Sequence, residues 1–192
     1  MTKLIFATNN QNKINEIRAI IGNKFNIIGL KEIGADEDIP ENEPTLEGNA
    51  TAKSRFFYNR YHVDCFAEDT GLEIEALQGR PGVKSARYAG DDCIAENNII
   101  KVLTEMEGIQ NRKARFRTVI SLIIGGKEIQ FEGIVSGSIL KEKKGSSGFG
   151  YDPIFLPEGS KLSFAEMKPE EKNRISHRAN AIHKLIDYLR LT

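Results

Sequence analysis

The chain has 192 residues, with 27 basic and 27 acidic side chains and a formal net charge of zero. This length is expected to form a single domain with a substantial core, and the neutral charge argues against sequence-blind attraction to nucleic acid polymers or anionic membranes. Cys65 and Cys93 lack metal-site spacing and are expected to be reduced in a cytoplasmic protein. We expect no signal peptide, and no apolar run approaches the roughly 20 residues that span a bilayer.

A strand–turn–helix unit is predicted at the N-terminus. Leu4 to Ala7 form a short apolar run, and the helix that follows would carry four isoleucines on one face: Ile14, Ile17, Ile20 and Ile21. Lys13 lies in the first helical turn, where free N–H groups and the helix dipole suit a phosphate. A lysine there is unfavourable without a nearby anion. The turn therefore predicts a phosphate site, although an Asn-capped helix with a solvated lysine is the alternative.

A second strand is predicted over Phe25 to Leu30, followed by an acidic loop from Gly34 to Pro44. The loop has five acidic residues: Asp36, Glu37, Asp38, Glu41 and Glu43. Most of their carboxylates are expected to be solvated, while one or two could fold back onto a metal. Thr45 to Tyr61 suits a helix, in which periodicity alone makes Lys53 a surface lysine.

Two adjacent acids follow the apolar run from Val63 to Ala67. The pattern predicts a buried strand that ends in Glu68 and Asp69, a turn at Thr70-Gly71, and a half-buried strand from Leu72 to Ala76. Ligands of open α/β sheets bind at the carboxyl ends of strands, and carboxylate oxygens suit a hard cation such as Mg²⁺. The alternative is an acidic turn in solvent.

The middle of the chain predicts a structured loop, a helix and a hairpin. The loop spans Gly79 to Gly90, and Asp91 or Asp92 would cap a helix running to Met106. A long hairpin over about 113–139, with a turn at Gly125-Gly126, is expected to contribute to a second lobe.

The C-terminal third predicts a glycine-rich loop and two helices. Gly145 to Pro153 offers Phe149 and Tyr151 for stacking on a ligand, or is simply a tight connection. Ser163 and Glu166 fit a capping box, and Pro169 and Ser176 fit helix starts. The last helix would then begin with His177 and Arg178, two cation-forming side chains that are again unfavourable without an acceptor.

Carboxylates for a metal, lysines for phosphates and an aromatic loop for a base together indicate a Mg-nucleotide site. Five segments, in chain order, resemble the motifs of the inosine triphosphate pyrophosphatase family: TNNQNK (8–13), AEDTGLE (67–73), PGVKSARYAG (81–90), GFGYDPIF (148–155) and EEKNRISHRANA (170–181). Members of this family hydrolyse deaminated purine nucleoside triphosphates (ITP, dITP and XTP) to the monophosphate and pyrophosphate.

The resemblance implies a role for each motif. Asp69 would be the catalytic carboxylate, as general base or metal ligand, and Glu41 and Glu68 would complete the Mg²⁺ site. Lys53 would hold the triphosphate together with Thr8, Asn9, Asn10, Gln11, Asn12 and Lys13. The other substrate contacts would come from Thr70 and from the base-binding residues Phe149, Gly150, Tyr151, Asp152, Lys172, His177 and Arg178.

The resemblance also implies an elongated α/β fold, with a central mixed sheet, flanking helices and two lobes around a nucleotide cleft. Residues 1–192 would form one nucleoside triphosphate pyrophosphatase domain, usually a homodimer. Position 68 is more often Asp in this family, and here it is Glu68. Two alternatives stay open. One is a related pyrophosphatase that acts on pyrimidine or modified nucleotides, as in the septum-formation-inhibitor family, and the other is a non-catalytic nucleotide-binding module.

Overall fold

The computed structural model describes residues 2–35, 39 and 41–191, and the side chain of residue 2 is not among the described parts. Asp36, Glu37 and Asp38 of the predicted acidic loop lie outside the described residues. The described part contains six strands and five α-helices. The strands are β1 (Thr2–Phe6), β2 (Phe25–Gly29), β3 (Cys65–Ile74), β4 (Lys113–Ile124), β5 (Lys127–Ile139) and β6 (Phe155–Pro157). The helices are α1 (Gln11–Ile21), α2 (Leu46–Tyr61), α3 (Ala95–Glu105), α4 (Pro169–Ile175) and α5 (His177–Leu191).

The strands form one mixed sheet in the order β2-β1-β3-β4-β5-β6. β1 is parallel to both β2 and β3, whereas β6 is antiparallel to β5. The predicted hairpin is confirmed, since Gly125 and Gly126 join β4 to β5 with positive φ angles of 54° and 78°. The predicted α/β class with a central mixed sheet and flanking helices is confirmed, while the elongated shape and the cleft stay predictions.

The chain divides into two compact units. Unit 1 comprises Met1–Asp69, Thr118–Gly133 and Arg178–Thr192, and unit 2 comprises Thr70–Arg117 and Ile134–His177. The hairpin thus contributes its tip to unit 1 and its base to unit 2. No helix in the described part of the chain is long and apolar enough to cross a membrane.

Unit 1 has two apolar clusters that contain alternate residues of β3. Phe66 stacks on Phe6 with ring centroids 4.5 Å apart, in a cluster that includes Ile17 of α1 and Ile182 of α5. Cys65 and Ala67 instead pack in a cluster with Phe57 of α2. Because successive side chains of a strand point to opposite faces of the sheet, one face of β3 packs against α1 and α5 and the other packs against α2.

Unit 2 is built around an aromatic core that contains Phe116, Phe155 and Phe164. The loop from Gly79 to Gly90 lies against β3 in this unit. The hydroxyl of Ser85 accepts a hydrogen bond from Leu72 N at 2.8 Å and donates one to Gly82 O at 2.6 Å.

The predicted turn at Thr70-Gly71 is wrong, because β3 is continuous from Cys65 to Ile74. Glu68 and Asp69 therefore lie within a strand, in the part of β3 that continues beyond its pairs with β1 at Cys65 and Phe66. The glycine at position 71 is explained by a close contact and not by a turn. A Cβ at this position would lie 2.5 Å from the carbonyl oxygen of Gly82, so the missing side chain makes room for the adjacent loop.

The start predicted for α3 is also wrong, because the helix begins at Ala95 rather than at Asp91 or Asp92. Cys93 has a φ of 55°, a left-handed conformation that interrupts a helix. The side chain of Asp92 accepts a 3.4 Å hydrogen bond from Ile94 N, before the helix begins. The starts predicted for α4 at Pro169 and for α5 at His177 are confirmed.

We predict that Gly71→Ala lowers the free energy of unfolding by about 3 kcal/mol, because the added methyl group would overlap backbone that cannot rotate away. Equilibrium unfolding in urea measures the loss. Gly108→Ala is the matched control in the same unit, because it meets open space and only its φ of 72° is unfavourable. It should cost about 1 kcal/mol. Equal losses in the two variants would contradict the close approach of the loop to β3.

Candidate active site

The turn between β1 and α1 is organised by its own side chains. Asn10 is the N-cap of α1 and accepts a hydrogen bond from Lys13 N at 3.2 Å. The hydroxyl of Thr8 accepts one from Asn10 N, also at 3.2 Å. Asn10, Gln11 and Asn12 are exposed, and Thr8 and Asn9 are half-buried. The predicted triphosphate-binding turn thus presents polar side chains at the N-terminus of a helix, which suits an anion.

Lys13 projects from this turn to Glu68 of β3. Its ammonium lies 3.1 Å from Glu68 Oε1. Arg178, in the first turn of α5, donates to the same carboxylate with two hydrogen bonds of 2.9 Å and also forms an ion pair with Glu16 of α1. The cations at two helix starts are therefore balanced inside unit 1. Their positions alone do not require a phosphate.

The carboxylate of Glu68 stays ionised although the residue is only 2% exposed. Burial acts to raise its pKa, but the Arg178 and Lys13 cations overcome this effect and hold the pKa well below the usual range. The pKa of Arg178 is correspondingly raised, because the attraction of Glu68 and Glu16 exceeds the effect of burial.

Asp69 belongs to a second cluster with Lys53, Asn49 and Glu41. Lys53 Nζ lies 3.4 Å from Asp69 Oδ1 and 2.6 Å from Glu41 Oε1. Asn49 donates a 3.0 Å hydrogen bond to Asp69 Oδ2. Lys53 is thus a buried residue of this cluster, so the surface position that periodicity predicts for it is wrong.

Burial and the neighbouring charges both shift the pKa values of Asp69 and Lys53 in this second cluster. It raises the pKa of Asp69, and the cations of Lys53 and Lys13 offset only part of that effect. Burial acts to lower the pKa of Lys53, but Asp69 and Glu41 outweigh it and raise that pKa. No group of three or more His, Cys, Asp or Glu side chains that could hold a metal ion occurs within residues 2–35, 39 and 41–191.

In unit 2, Asp152 organises the glycine-rich loop. Its Oδ2 accepts a hydrogen bond from Phe149 N at 2.8 Å and lies 2.7 Å from Lys172 Nζ. The ammonium of Lys172 lies 5.0 Å from the centroid of the Phe149 ring. The loop therefore brings three of the predicted base-binding residues together.

Tyr151 and His177 are packed into the core of the same unit. Tyr151 is buried and donates a 2.8 Å hydrogen bond to the carbonyl oxygen of Ser85, so of the two loop rings only Phe149 is partly exposed. His177 is buried and stacks on Phe116, with ring centroids 4.6 Å apart. Gly150 and Thr70 are half-buried.

Three residues that contact the predicted site were not predicted from the sequence: Glu16, Asn49 and Ser85. Two of them had a usable signal. Glu16 follows Lys13 by three positions, and Asn49 precedes Lys53 by four, so each pair shares one face of a helix. Ser85 contacts Leu72 and Tyr151, which are distant in the chain, and no local pattern points to it.

Comparison with curated proteins identifies close relatives over nearly the whole chain. A protein of Porphyromonas gingivalis named dITP/XTP pyrophosphatase is 56% identical over 190 residues, which cover 98% of each chain. A protein of the same name from Flavobacterium psychrophilum is 50% identical over 188 residues, covering 98% of this chain and 99% of the relative.

Solved structures agree with these similarities. The Staphylococcus aureus Ham1 protein is 39% identical, with a TM-score of 0.89 and coverage of 98% of each chain. A HAM1 protein from Coxiella burnetii is 34% identical, with a TM-score of 0.91 and coverage of 100% of each chain. Residues 4–188 match the sequence pattern of the Ham1 family. This chain therefore belongs to the Ham1 family.

Proposed function

We propose that this protein hydrolyses deaminated purine nucleoside triphosphates (ITP, dITP and XTP) to the monophosphate and pyrophosphate, with Mg²⁺ as the cofactor. The observation that carries the proposal is the cluster in which Asp69 and Glu41 share the ammonium of Lys53. Two carboxylates and a lysine held together are suited to a metal-bound phosphate chain. The name of the two relatives, dITP/XTP pyrophosphatase, supports the same chemistry.

Lys13, Lys53 and the β1–α1 turn would bind the triphosphate. The ammonium groups would offset negative charge on the phosphates, and the exposed amide side chains of Asn10, Gln11 and Asn12 would donate hydrogen bonds to phosphate oxygens. Thr8, Asn9 and Thr70 would contribute further polar contacts. In this arrangement the protein's part in catalysis is mainly charge stabilisation and positioning.

Mg²⁺ fits the donor set of the Asp69 cluster. Proteins commonly hold Mg²⁺ with one or two carboxylates and leave its other positions to substrate phosphates and water. Asp69 and Glu41 would be the two protein ligands, because their oxygens lie against the same ammonium group. When bound, the cation would neutralise phosphate charge and polarise the phosphoryl oxygen.

Asp69 would also orient the attacking water and accept its proton. Burial raises the pKa of this carboxyl, and the cations of Lys53 and Lys13 offset part of that effect. Asn49 fixes the carboxylate by donating to Oδ2.

The base would bind to the aromatic loop of unit 2. Phe149 would stack on the purine, and Lys172 and His177 would donate to its edge, with Asp152 holding both the loop and Lys172. Hypoxanthine and xanthine carry an oxygen at carbon 6 that accepts such a bond, whereas adenine carries an amino group that would face a donor. That Gly150, Tyr151 and Arg178 also contact the base stays a prediction.

We predict that the protein releases pyrophosphate from ITP, dITP and XTP in the presence of Mg²⁺, and that kcat/KM for ATP is about 10- to 100-fold lower because of the donor mismatch. A panel that also contains GTP, UTP and CTP, with separate detection of pyrophosphate and orthophosphate, measures both points. Orthophosphate as the first product would contradict the proposed reaction. A preference for UTP or CTP would point to the pyrimidine alternative, and tight ITP binding without turnover would point to a non-catalytic module.

We predict that Asp69→Asn lowers kcat for ITP by about 10³-fold or more, because an amide neither accepts the proton nor binds the metal with full charge. Steady-state kinetics and circular dichroism measure activity and folding together. Asp64→Asn is the control, since Asp64 precedes β3 and its side chain accepts a hydrogen bond from Gly125 N. Near-normal turnover by Asp69→Asn would remove Asp69 from the catalytic role.

We also propose that the protein is a homodimer in the cytoplasm, which the resemblance to its family implies. Sedimentation equilibrium should give twice the mass of one chain at micromolar concentration. A single-chain mass across the concentration range would contradict the dimer.

A further inference from the structure

The carboxylate of Glu68 is already held by two cations within unit 1. Arg178 donates to Oε2 and Oε1 at 2.9 Å each, and Lys13 Nζ lies 3.1 Å from Oε1. Glu68 and Arg178 are 2% and 1% exposed, so water cannot easily replace either partner. A metal ion at Glu68 would have to displace cations from a buried carboxylate, and buried charges are costly to leave uncompensated.

Glu68 and Asp69 also face opposite sides of β3. They are consecutive residues in a continuous strand, so their side chains point to opposite faces. Their partners agree with this geometry. Glu68 contacts residues of α1 and α5, whereas Asp69 contacts Asn49 and Lys53 of α2. The carboxylates suited to one metal are therefore Asp69 and Glu41, which lie against the same ammonium.

The cations that Glu68 binds are the ones that helix dipoles disfavour. Lys13 lies in the first turn of α1 and Arg178 in the first turn of α5, where the dipole repels positive charge. Glu16, the other carboxylate that binds Arg178, is itself on α1. Glu68 thus ties the starts of two helices to β3 and fixes the direction in which Lys13 projects.

Resting on the proposed function, we infer that Glu68 is a positioning residue and not a metal ligand: it holds the Lys13 ammonium in place for the triphosphate. Lys13 then contributes charge to the substrate from a fixed position, and Arg178 keeps Glu68 oriented. The metal is held without Glu68.

Glu68→Gln tests this role, because the amide keeps the shape of the side chain and removes its charge. We expect KM for ITP at saturating Mg²⁺ to rise about 10-fold or more, and the affinity for inorganic triphosphate in calorimetry to fall by a similar factor. The Mg²⁺ concentration for half-maximal activity, and the affinity for Mn²⁺ measured without substrate, should stay within about twofold of the wild type. Glu41→Gln should instead weaken both metal measurements.

Further variants separate positioning from general destabilisation. Glu128→Gln is the matched control in unit 1, because Glu128 is also a poorly exposed carboxylate paired with an arginine, Arg55, at 2.8 Å. It should lower the unfolding midpoint without changing KM. In a Lys13→Met background, Glu68→Gln should add little to KM, since the group that it positions is gone. If Glu68→Gln does not fold, Glu68→Asp keeps the charge and should raise KM while leaving Mn²⁺ affinity unchanged.

Loss of Mn²⁺ affinity in Glu68→Gln or Glu68→Asp, comparable to the loss in Glu41→Gln, would overturn the inference and make Glu68 a metal ligand. An unchanged KM and an unchanged affinity for inorganic triphosphate would overturn the positioning role. Failure of the proposed function looks different, because the wild-type protein itself would then release no pyrophosphate from ITP. The calorimetric comparison does not depend on turnover, so the two failures are distinguishable.

Discussion

The alternation of side chains along β3 is the constraint on which the rest of the candidate site depends. Two acids stand next to each other in the sequence, but the strand is continuous, so Glu68 faces α1 and α5 while Asp69 faces α2. The apolar residues before them obey the same rule, since Phe66 packs with α1 and α5, and Ala67 packs with α2. The same two-residue alternation along β3 therefore decides which side chains enter each apolar cluster and which acid belongs to each polar cluster.

This separation gives the two acids different electrostatic surroundings. On the Glu68 side, Lys13 and Arg178 are matched by Glu68 and Glu16, so the cluster is close to neutral. On the Asp69 side, the ammonium of Lys53 lies against both Asp69 and Glu41, and these three groups together carry a net negative charge, although Lys13 also acts on Asp69 from the first cluster. The pKa directions follow this difference, lowered for Glu68 by its cations and raised for Asp69 by burial. A divalent cation would therefore be attracted to the second cluster more strongly than to the first.

Local patterns predicted the elements that local interactions decide. The strand–turn–helix at the N-terminus, the Gly125-Gly126 hairpin and the start of α5 at His177 were all readable from periodicity and turn residues. The turn predicted at Thr70-Gly71 is wrong. Gly71 is instead required by its close approach to the carbonyl of Gly82, which lies eleven positions further along the chain. The motif resemblance named Lys13, Lys53 and Asp69, and the structure brings Lys53 and Asp69 together. Their supporting partners required the three-dimensional fold, since Glu68 and Arg178 are 110 positions apart.

The contacts of Glu68 with α1 and α5 also explain why a side chain of glutamate length suits position 68. The carboxylate binds Arg178 through both oxygens and Lys13 through one of them, so a single side chain bridges α1, β3 and α5. The family resemblance implies that aspartate is more common at this position. Aspartate is shorter by one methylene, so its carboxylate would lie closer to the strand. The helix starts would then have to follow it to keep both contacts. Substitutions at positions 13, 16, 68 and 178 should therefore combine non-additively, because each one changes the charge balance that fixes the other three.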